Sequence, residues 1–504
     1  MFATSLPTFR EKRPGLIAAP LARPFWLGLA VLITTVLVTA HPQNVESALG
    51  GAMVIAAGCL PSAIWILKRL RGLPLFPVFA MTHIWAFGLP LLYEHPIVIR
   101  FEPERQLFAA ASVVGFLLIA TLVWHQARLR RPRPPRACLM LESARADNLF
   151  LAILVIAIFF TFAGNGWWLM ALSTEMYSII RAVMLALEAL SCFVLSYRLG
   201  SGELNVSQRA VFKVLFLILL IATLPTLYMV SAISLIGIAV LGYVSASGKV
   251  PWISMIIAVL VASFLHAGKG DMRQRYWEEE DVTAIQPWDY PMFLATWVSS
   301  SADALFGNIP DDDEQGQSIV ERSSLMQLLL FEQDVADANF PFLWGETYLG
   351  IPELLIPRIL YPTKPEAHFG THLLNVHYGF QTREESEHTT VGFGLLNEAY
   401  ANFGLMGMAA LAVVLGAFYG LVESLALSVP LLSLRGLFVV VVASYAFQVE
   451  YAAGVWVSAL FQSTIALLAF SFLLMKVRPL TTGNIEDSAA LAAPSPWSRW
   501  AKPT

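Results

Sequence analysis

Charged residues are scarce in this sequence. Lys, Arg, Asp and Glu together make up 13% of its 504 residues, whereas about a quarter of the residues of a soluble protein are charged. Hydrophobic residues make up 57% of the chain, and the mean hydropathy is +0.64. This composition excludes a water-soluble protein. The sequence also lacks a basic tract with interleaved aromatic residues, so no nucleic-acid partner is expected.

Cysteine is equally sparse. The three cysteines are Cys59, Cys138 and Cys192, and none of them lies in the long polar segment 268–403. A disulfide within that segment is therefore excluded, and a cysteine-based metal site is not expected. A cleavable signal is not evident either, because the first apolar run ends in Ala40-His41-Pro42 without a small-x-small cleavage site. We therefore interpret that run as a retained membrane span.

Long apolar runs recur along most of the chain. A helix that crosses a bilayer needs about 20 largely apolar residues, and about 17 are tolerated. By this criterion the sequence predicts an all-α polytopic membrane protein with about 12 transmembrane helices. The runs are 24–40, 48–67, 74–93, 107–125, 148–163, 178–197, 210–228, 230–246, 251–267, 404–424, 435–450 and 455–475. The segments outside 24–267 and 404–475 are a cytoplasmic N-terminus 1–23, a periplasmic loop 268–403 and a tail 476–504, which we expect to be disordered.

The distribution of Lys and Arg predicts the orientation. Short cytoplasmic connections are enriched in these residues. Several cations precede or follow the first spans on the side of the termini, in 10–23, 68–71 and 128–136. The opposite connections 41–47, 164–177 and 451–454 contain no Lys or Arg, and 94–106 is the exception with Arg100 and Arg105. Both termini are therefore predicted to be cytoplasmic.

The segment 268–403 is too long for a simple turn. Loops of this length in compact structures are usually functional or disordered. Apolar periodicity in 291–306 and 323–333 predicts short helices that lie on the membrane surface. We therefore expect an at least partly ordered loop outside the cytoplasmic membrane.

The most informative stretch of this loop runs from Gly345 to Gly407. Arg358 and Lys364 lie there among prolines and apolar residues, and a site that holds a lipid diphosphate needs such fixed cations beside an apolar floor. The motif P-R-x-x-x-P-x-K-P is followed by N-E-A-Y-x-N-F-G-x-x-G. This order resembles the Wzy-type oligosaccharide repeat-unit polymerases, which are O-antigen polymerase/ligase-like membrane proteins of bacterial envelopes. The resemblance is clearest over roughly the last half of the chain.

The resemblance implies a GT-C-like fold and a metal-independent, inverting glycosyltransferase of the bacterial inner membrane. Such an enzyme polymerises undecaprenyl-diphosphate-linked repeat units into an envelope polysaccharide or exopolysaccharide at the outer face of the membrane. No cofactor is expected. The implied partners are the lipid-linked oligosaccharide, membrane lipid, a flippase and a chain-length regulator.

Cations directly after the ninth predicted span are candidates for the diphosphate site. The resemblance implies that an Arg following a span binds undecaprenyl diphosphate, and Arg273 is the first choice, with Arg275 second and Lys269 beside them. The alternative is ordinary anchoring of long cationic side chains at the membrane interface. For Arg358, the alternative is a surface turn in which it pairs with Glu353 or Glu366.

Four histidines occur within 21 residues of the same loop: His368, His372, His377 and His388. The i, i+4 spacing of His368 and His372 suits metal ligands on one helical face, but no HExxH pattern supports a metal. A solvated polar loop is the simpler explanation of the cluster. The resemblance implies that a His or Glu activates the incoming sugar, and we favour His388 as the base, since an imidazole suits removal of a hydroxyl proton.

The start of the tenth predicted span carries further polar candidates. Glu398 is either a structural partner of Arg358 or a catalytic group, and Tyr400 and Asn402 suit recognition of sugar hydroxyls. Arg383 is a further candidate for substrate binding, together with Lys364.

Two other functions stay open. A polysaccharide ligase uses the same donor chemistry with a different acceptor. A twelve-span transporter of lipid-linked sugars has the same number of spans, but transporters place their polar residues in broken helices near the midplane of the membrane.

Overall fold

The computed structural model of the protein is 77% helical. It describes residues 18–130, 135–141, 143–172, 174–278, 284–307, 324–335, 340–356, 360–388 and 391–479. In the first half of the chain the elements are α1 (Ala18–Thr39), α2 (Val45–Leu67), α3 (Leu75–Leu92), α4 (Pro103–Leu129), β1 (Ala137–Leu141), α5 (Ser143–Asn165), α6 (Thr174–Ser201), α7 (Val206–Thr223), α8 (Met229–Ser247) and α9 (Trp252–Ala267). The later elements are α10 (Lys269–Arg273), α11 (Tyr290–Phe306), α12 (Met326–Val335), α13 (Glu346–Leu349), α14 (Ile351–Leu354), α15 (Phe369–His377), α16 (Arg383–His388), α17 (Gly394–Ala426), α18 (Leu434–Ala446), α19 (Ala453–Leu474) and β2 (Met475–Pro479).

Ten helices in the described ranges are long and apolar enough to cross a membrane. They are α1 to α8, α17 and α19. The ninth and eleventh predicted spans differ from this pattern, because α9 is bent by 62° against the segment that follows it and α18 is a shorter apolar helix. The prediction of an all-α polytopic membrane protein is confirmed, with ten candidate spans, or eleven if the bent pair crosses as one.

Close packing of α4 against α17 forms the centre of the bundle. A Cβ atom added at Gly416 would lie 2.5 Å from the Ala120 carbonyl oxygen, and one added at Gly420 would lie 2.6 Å from that of Trp124. Only glycine permits such an approach of two backbones, as is common between membrane helices. Trp124, Phe116 and other wholly buried side chains of α4 complete this core.

Helix α17 begins ten residues before the tenth predicted span. Residues 394–402 were predicted to belong to the loop, but they form a buried helical segment that joins the span across a kink at Phe403 and Gly404. Gly404 has a φ of 58° and a ψ of −146°, and a Cβ atom there would lie 2.9 Å from the Phe342 ring. Glycine is required at this position both for its backbone conformation and for the space beside Phe342.

A small sheet joins two distant parts of the chain. Strand β1 pairs antiparallel with β2, with Ala137 opposite Pro479, and Met140 also bridges to Ser433. The expectation that the whole tail from 476 is disordered is therefore wrong for residues 476–479, because the backbone groups of β1 give them a hydrogen-bonding partner. The rest of the tail lies outside the described residues.

A buried ion pair lies near the same end of the bundle. Arg128 at the end of α4 pairs with Glu423 in α17 and also donates to the carbonyl oxygen of Arg71. The second carboxylate oxygen of Glu423 accepts the Phe76 N–H at 3.0 Å. Because the ends of α4, α17 and the connection before α3 meet here, we call this the strand end of the bundle.

The opposite end, which we call the loop end, carries the helices between α9 and α17. Helices α11 and α12 form where apolar periodicity predicted them in 291–306 and 323–333. Asp334 of α12 pairs with Arg105 at the start of α4, and Gln286 accepts the Trp168 indole N–H at 2.7 Å. The connections before α4 and α6 therefore lie at this end. Asp334 is an ion-pair partner for Arg105, one of the two cations in 94–106 that depart from the distribution of Lys and Arg in the other connections.

Candidate functional site

The bend after α9 positions the cations of α10. A Cβ atom at Gly268 would lie 2.5 Å from the backbone nitrogen of Ser301, so the chain turns directly against α11. The Trp297 indole N–H donates to the Leu265 carbonyl at 2.7 Å and ties the end of α9 to α11. The bend is thus fixed by packing rather than by a flexible link.

Met272 anchors α10 on its buried side. It is 0% exposed and packs with Leu227, Leu265, Phe293 and Trp297. Lys269 and Arg273, three positions before it and one after it, are half-buried. The Arg273 guanidinium lies 5.9 Å from the centre of the Tyr228 ring, which is a cation–π distance.

Arg275 is in a different situation from Arg273. Its Nε lies 2.9 Å from a carboxylate oxygen of Asp271, one helical turn earlier, and the arginine side chain is 53% exposed whereas that of Asp271 is 19% exposed. Asp271 also accepts the Ser300 hydroxyl at 2.5 Å. Arg275 is therefore tied to its own helix, and the half-buried position of Arg273 at the Tyr228 ring favours Arg273 of the two predicted arginines.

The connection between α18 and α19 brings acidic and phenolic groups to these cations. Desolvation raises the pKa of Glu450, while the positive charges of Lys269 and Arg273 lower it. Desolvation likewise raises the pKa of Tyr451, and the charge of Arg181 opposes that shift. Arg181, Lys269 and Arg273 therefore surround one connection at the loop end, and we call them the cationic cluster.

Arg181 is the member of this cluster that the sequence did not single out. It is exposed in the first turns of α6. A signal was present in the sequence, since a cation near the outer end of a predicted span departs from the charge asymmetry of the other connections. Its link to the site depends on the packing of α6 beside α19, which sequence spacing does not reveal.

Two of the four histidines lie beside the cationic cluster. The rings of His368 and His372 are 6.2 Å apart, one turn from each other at the start of α15. Desolvation lowers the pKa of His368, the charges of His372 and Arg181 lower it further, and Glu366 opposes them. His368 is therefore held in its neutral, proton-accepting form near neutral pH.

The other two histidines are placed differently. The His377 ring packs against Phe340, with centroids 5.7 Å apart. Desolvation lowers the pKa of His377, while a hydrogen bond to the backbone of Pro341 and the charge of Glu346 raise it. His388 ends α16, and its side chain lies outside the part of the chain that the structure describes. Within the described ranges no three His, Cys, Asp or Glu residues are placed to hold a metal ion together.

Lys364, one of the two cations of the proline-rich motif, binds carbonyl oxygens close to it in the chain. The Lys364 ammonium donates to the carbonyl oxygens of Leu354 at 3.0 Å and Ile356 at 2.8 Å. It thereby stabilises the chain just after α14. Arg358 lies outside the described residues, and Arg383 is exposed at the start of α16.

The polar residues of the N-E-A-Y-x-N motif face the protein interior. Glu398 and Asn402 are 0% exposed, and Tyr400 is buried against Phe342. One oxygen of Glu398 accepts the Ala453 N–H at 2.5 Å, which places a carboxylate at the first residue of α19. A role of these residues in sugar binding stays a prediction, because in this structure they are covered by other parts of the chain.

Asn402 holds the loop to the bundle. Its amide nitrogen donates to the Thr347 hydroxyl and to the Glu398 carbonyl, each at 2.8 Å. Its side-chain amide oxygen accepts the Gly345 N–H at 2.9 Å, and its backbone carbonyl oxygen accepts the Trp344 N–H at 3.0 Å. Both of its side-chain donors are thus used inside the protein, so the motif builds a rigid support for α13.

Comparisons with known proteins give no relative for this arrangement. No family model matches the chain, and searches of curated proteins and of solved structures find no match either. The chemistry of the site therefore follows from its residues. A cluster of one Lys and two Arg beside a neutral imidazole can bind a phosphate group and accept a proton from a hydroxyl close by.

Proposed function

We propose that the protein polymerises undecaprenyl-diphosphate-linked oligosaccharide repeat units into a bacterial envelope or exopolysaccharide chain. In this account it has twelve spans, with α9–α10 and α18 as the ninth and eleventh, in a GT-C-like arrangement in the inner membrane. The strand end is cytoplasmic and the loop end faces the periplasm. A flippase supplies the lipid-linked units, and a chain-length regulator acts with the enzyme.

The observation that carries the proposal is the cationic cluster of Arg181, Lys269 and Arg273. Lys269 and Arg273 lie directly after the bend that ends a candidate span, and Arg181 lies beside the same connection between α18 and α19. The proposal puts the diphosphate of the lipid there, at the surface of the membrane. Three cations on this side oppose the usual charge distribution of membrane proteins, which favours a functional role. Arg donates two parallel hydrogen bonds to phosphate oxygens, and Lys adds a point charge.

The proposed reaction breaks the bond between the anomeric carbon and the diphosphate of the donor chain. The acceptor hydroxyl of a second lipid-linked unit attacks that carbon in line, a new glycosidic bond forms, and undecaprenyl diphosphate leaves. The cationic cluster stabilises the negative charge that builds up on the leaving diphosphate. The hydroxyl proton passes to a base, for which His388 is the first candidate and His368, neutral beside Arg181, the next.

Two related functions use parts of the same account. A ligase has the same donor site and transfers the chain to a different acceptor. A transporter of lipid-linked sugars draws some support from Glu188, which is buried within candidate span Ile180–Ser201. Loss of activity in Glu188→Gln with normal activity in Arg273→Ala is the result that favours transport.

The orientation is tested by thiol labelling. In a Cys138→Ser background, Glu384→Cys on exposed α16 is expected to react with an impermeant thiol reagent in intact cells, because α16 lies at the loop end. Arg478→Cys on exposed β2 is expected to react only after the membrane is opened. Labelling of Arg478→Cys alone in intact cells contradicts the proposed orientation.

The proposed chemistry is metal-independent, so purified enzyme is expected to retain its polymerase activity in the presence of a chelator. Replacing the base removes proton transfer, which is typically worth roughly 10²–10⁴-fold in rate. His388→Ala is therefore expected to lower the rate by that amount with donor binding unchanged, and His372→Ala is expected to have a smaller effect. Activity that disappears in chelator and returns with a divalent ion is the contrary outcome.

A further inference from the structure

Two glutamates from different helices meet in the interior of the loop end. Glu332 lies in α12 and Glu398 in the first part of α17, and both side chains are 0% exposed. They are close enough that the charge of Glu398 acts on the ionisation of Glu332. Neither glutamate belongs to the cationic cluster, and the proposed reaction does not use Glu332.

Glu332 is the unsatisfied member of the pair. Both of its carboxylate oxygens are buried without a hydrogen-bond partner among the described residues, whereas Glu398 accepts the Ala453 N–H with Oε2 and has the Thr347 hydroxyl as a second side-chain partner. Neither side chain forms an ion pair within the described ranges. A buried acceptor that is left unsatisfied costs about 1–3 kcal/mol, and more when it carries a charge.

The space beside Glu398 is narrow. A Cβ atom at Gly370 would lie 3.2 Å from Oε1 of Glu398 and 3.3 Å from the Cβ of Thr347. Tyr348 and Tyr378 flank the pair, and burial raises the pKa of each hydroxyl, with the carboxylates adding to the shift. The polar neighbours on this side include the Thr347 hydroxyl and the two phenols. No cation is among them in the described part of the chain, and two negative charges there would repel each other in a medium that screens them weakly.

The elements packed around the pair bring few opposite charges to it. Arg105, which faces α12 from α4, is paired with Asp334. The other charged or titratable groups at this end of the surrounding elements include Arg100 before α4, Glu104 in α4, His83 in α3, Glu346 in α13, His368, His372 and His377 in α15, and Tyr400 in α17. Burial raises the pKa of Glu332 well above its ordinary value of 4.5, and the charge of Glu398 raises it further.

We propose that Glu332 and Glu398 together hold one proton at neutral pH and that this carboxyl pair is a proton-binding site that holds α12 against α17. The proton removes one of the two charges from the interior. A hard metal cation is a poorer occupant, because Ca²⁺ takes about six to eight oxygen ligands and Glu332 offers two unsatisfied ones. The proposal is independent of the polymerase reaction and stands or falls separately from it.

The shared proton makes stability depend on pH with a definite sign. The folded protein keeps the proton of Glu332 above the ordinary carboxyl pKa, whereas the unfolded chain releases it there. The stabilisation that the carboxyl pair contributes to the folded state is therefore fully present below pH 4.5, the ordinary pKa of a glutamate. It decreases as the pH rises towards the pKa of Glu332 in the folded state. One extra proton bound by the folded state changes the unfolding equilibrium about tenfold per pH unit.

The test compares pH profiles of thermal unfolding for full-length protein in lipid nanodiscs. Glu332→Gln keeps the shape of the side chain and supplies an amide donor, so it mimics the protonated pair. The wild-type midpoint is expected to fall between about pH 5 and pH 8, and the midpoint of Glu332→Gln is expected to stay level over the same range. Glu398→Gln is expected to remove the same slope, and the double variant to remove no more than either single one.

Glu384→Gln on exposed α16 is the matched control and is expected to keep the wild-type slope. An infrared band of a protonated carboxyl at pH 7.5 that is absent in Glu332→Gln reports the proton directly, even where a variant unfolds early. A wild-type slope that survives in Glu332→Gln, or a missing infrared difference, overturns the proposal. A wild-type midpoint that rises with added Ca²⁺ or Na⁺, but not in Glu332→Gln, shows a cation in place of the proton and overturns it as well.

Discussion

Arg273→Ala is expected to lower polymer synthesis by about 10²–10³-fold while the amount of protein and of single lipid-linked units stays normal. Removing one preorganised donor that faces developing negative charge typically has an effect of this size. Arg273 is fixed for such a role by the buried anchor Met272 beside it and by the bend at Gly268. The measurement is the length distribution of lipid-linked products made by purified enzyme.

Two variants serve as controls for this result. Arg275→Ala removes a cation from the same segment, but this cation is already paired with Asp271 and is largely exposed. It is expected to retain most of the activity. Arg273→Lys keeps the charge and loses the forked hydrogen bonds, so it is expected to be intermediate. Wild-type chain length from Arg273→Ala contradicts the proposed diphosphate site.

Glu423→Ala is expected to cause the largest loss of folded protein. Arg128 and Glu423 are about 5% and 2% exposed, and Glu423 also accepts the Phe76 N–H. Removing one partner leaves a buried charge uncompensated, which typically costs about 3–5 kcal/mol. Because the net stability of a folded protein is only about 5–15 kcal/mol, the variant is expected to be present at low levels and to unfold at a much lower temperature.

The matched comparison replaces both partners. Arg128→Met with Glu423→Met leaves no buried charge, and such replacements are often neutral or stabilising. The double variant is expected to recover most of the protein level and of the thermal midpoint. Glu384→Ala at the exposed position in α16 is expected to match wild type. A normal thermal midpoint for Glu423→Ala contradicts this prediction and shows that other contacts stabilise the strand end.

The helices could be predicted from the sequence because a membrane leaves few alternatives. Backbone groups in the hydrocarbon region must be satisfied within the segment itself, so a long apolar run is a helix, and a helix occupies each of the twelve predicted runs. The break between α9 and α10 was placed correctly by the change from apolar residues to Gly268 and Lys269. The start of α17 was placed ten residues too late, because the predicted span 404–424 followed the apolar run and left out Glu398 and Asn402, which were considered only as a polar start of that span.

Less of the candidate site than of the fold could be predicted from the sequence. Arg273 could be found because a cation directly after a span stands out from its apolar neighbours. Arg181 carried only the signal of a cation near the outer end of a span, and Glu332 carried none. Each acquires its role from a neighbour that is distant in sequence: Tyr451 for Arg181 and Glu398 for Glu332. The contacts of Lys364 with two carbonyl oxygens likewise depend on its position in space relative to the end of α14, which residue spacing does not reveal.

Polymerisation is tested most directly by reconstitution. Purified protein in liposomes is supplied with an undecaprenyl-diphosphate-linked repeat unit, and the lipid-linked products are separated by length while free undecaprenyl diphosphate is measured. The account predicts products of two or more units, with one undecaprenyl diphosphate released for each new linkage, and neither in Arg273→Ala. Units that cross the membrane without elongation and without release of the lipid diphosphate contradict it.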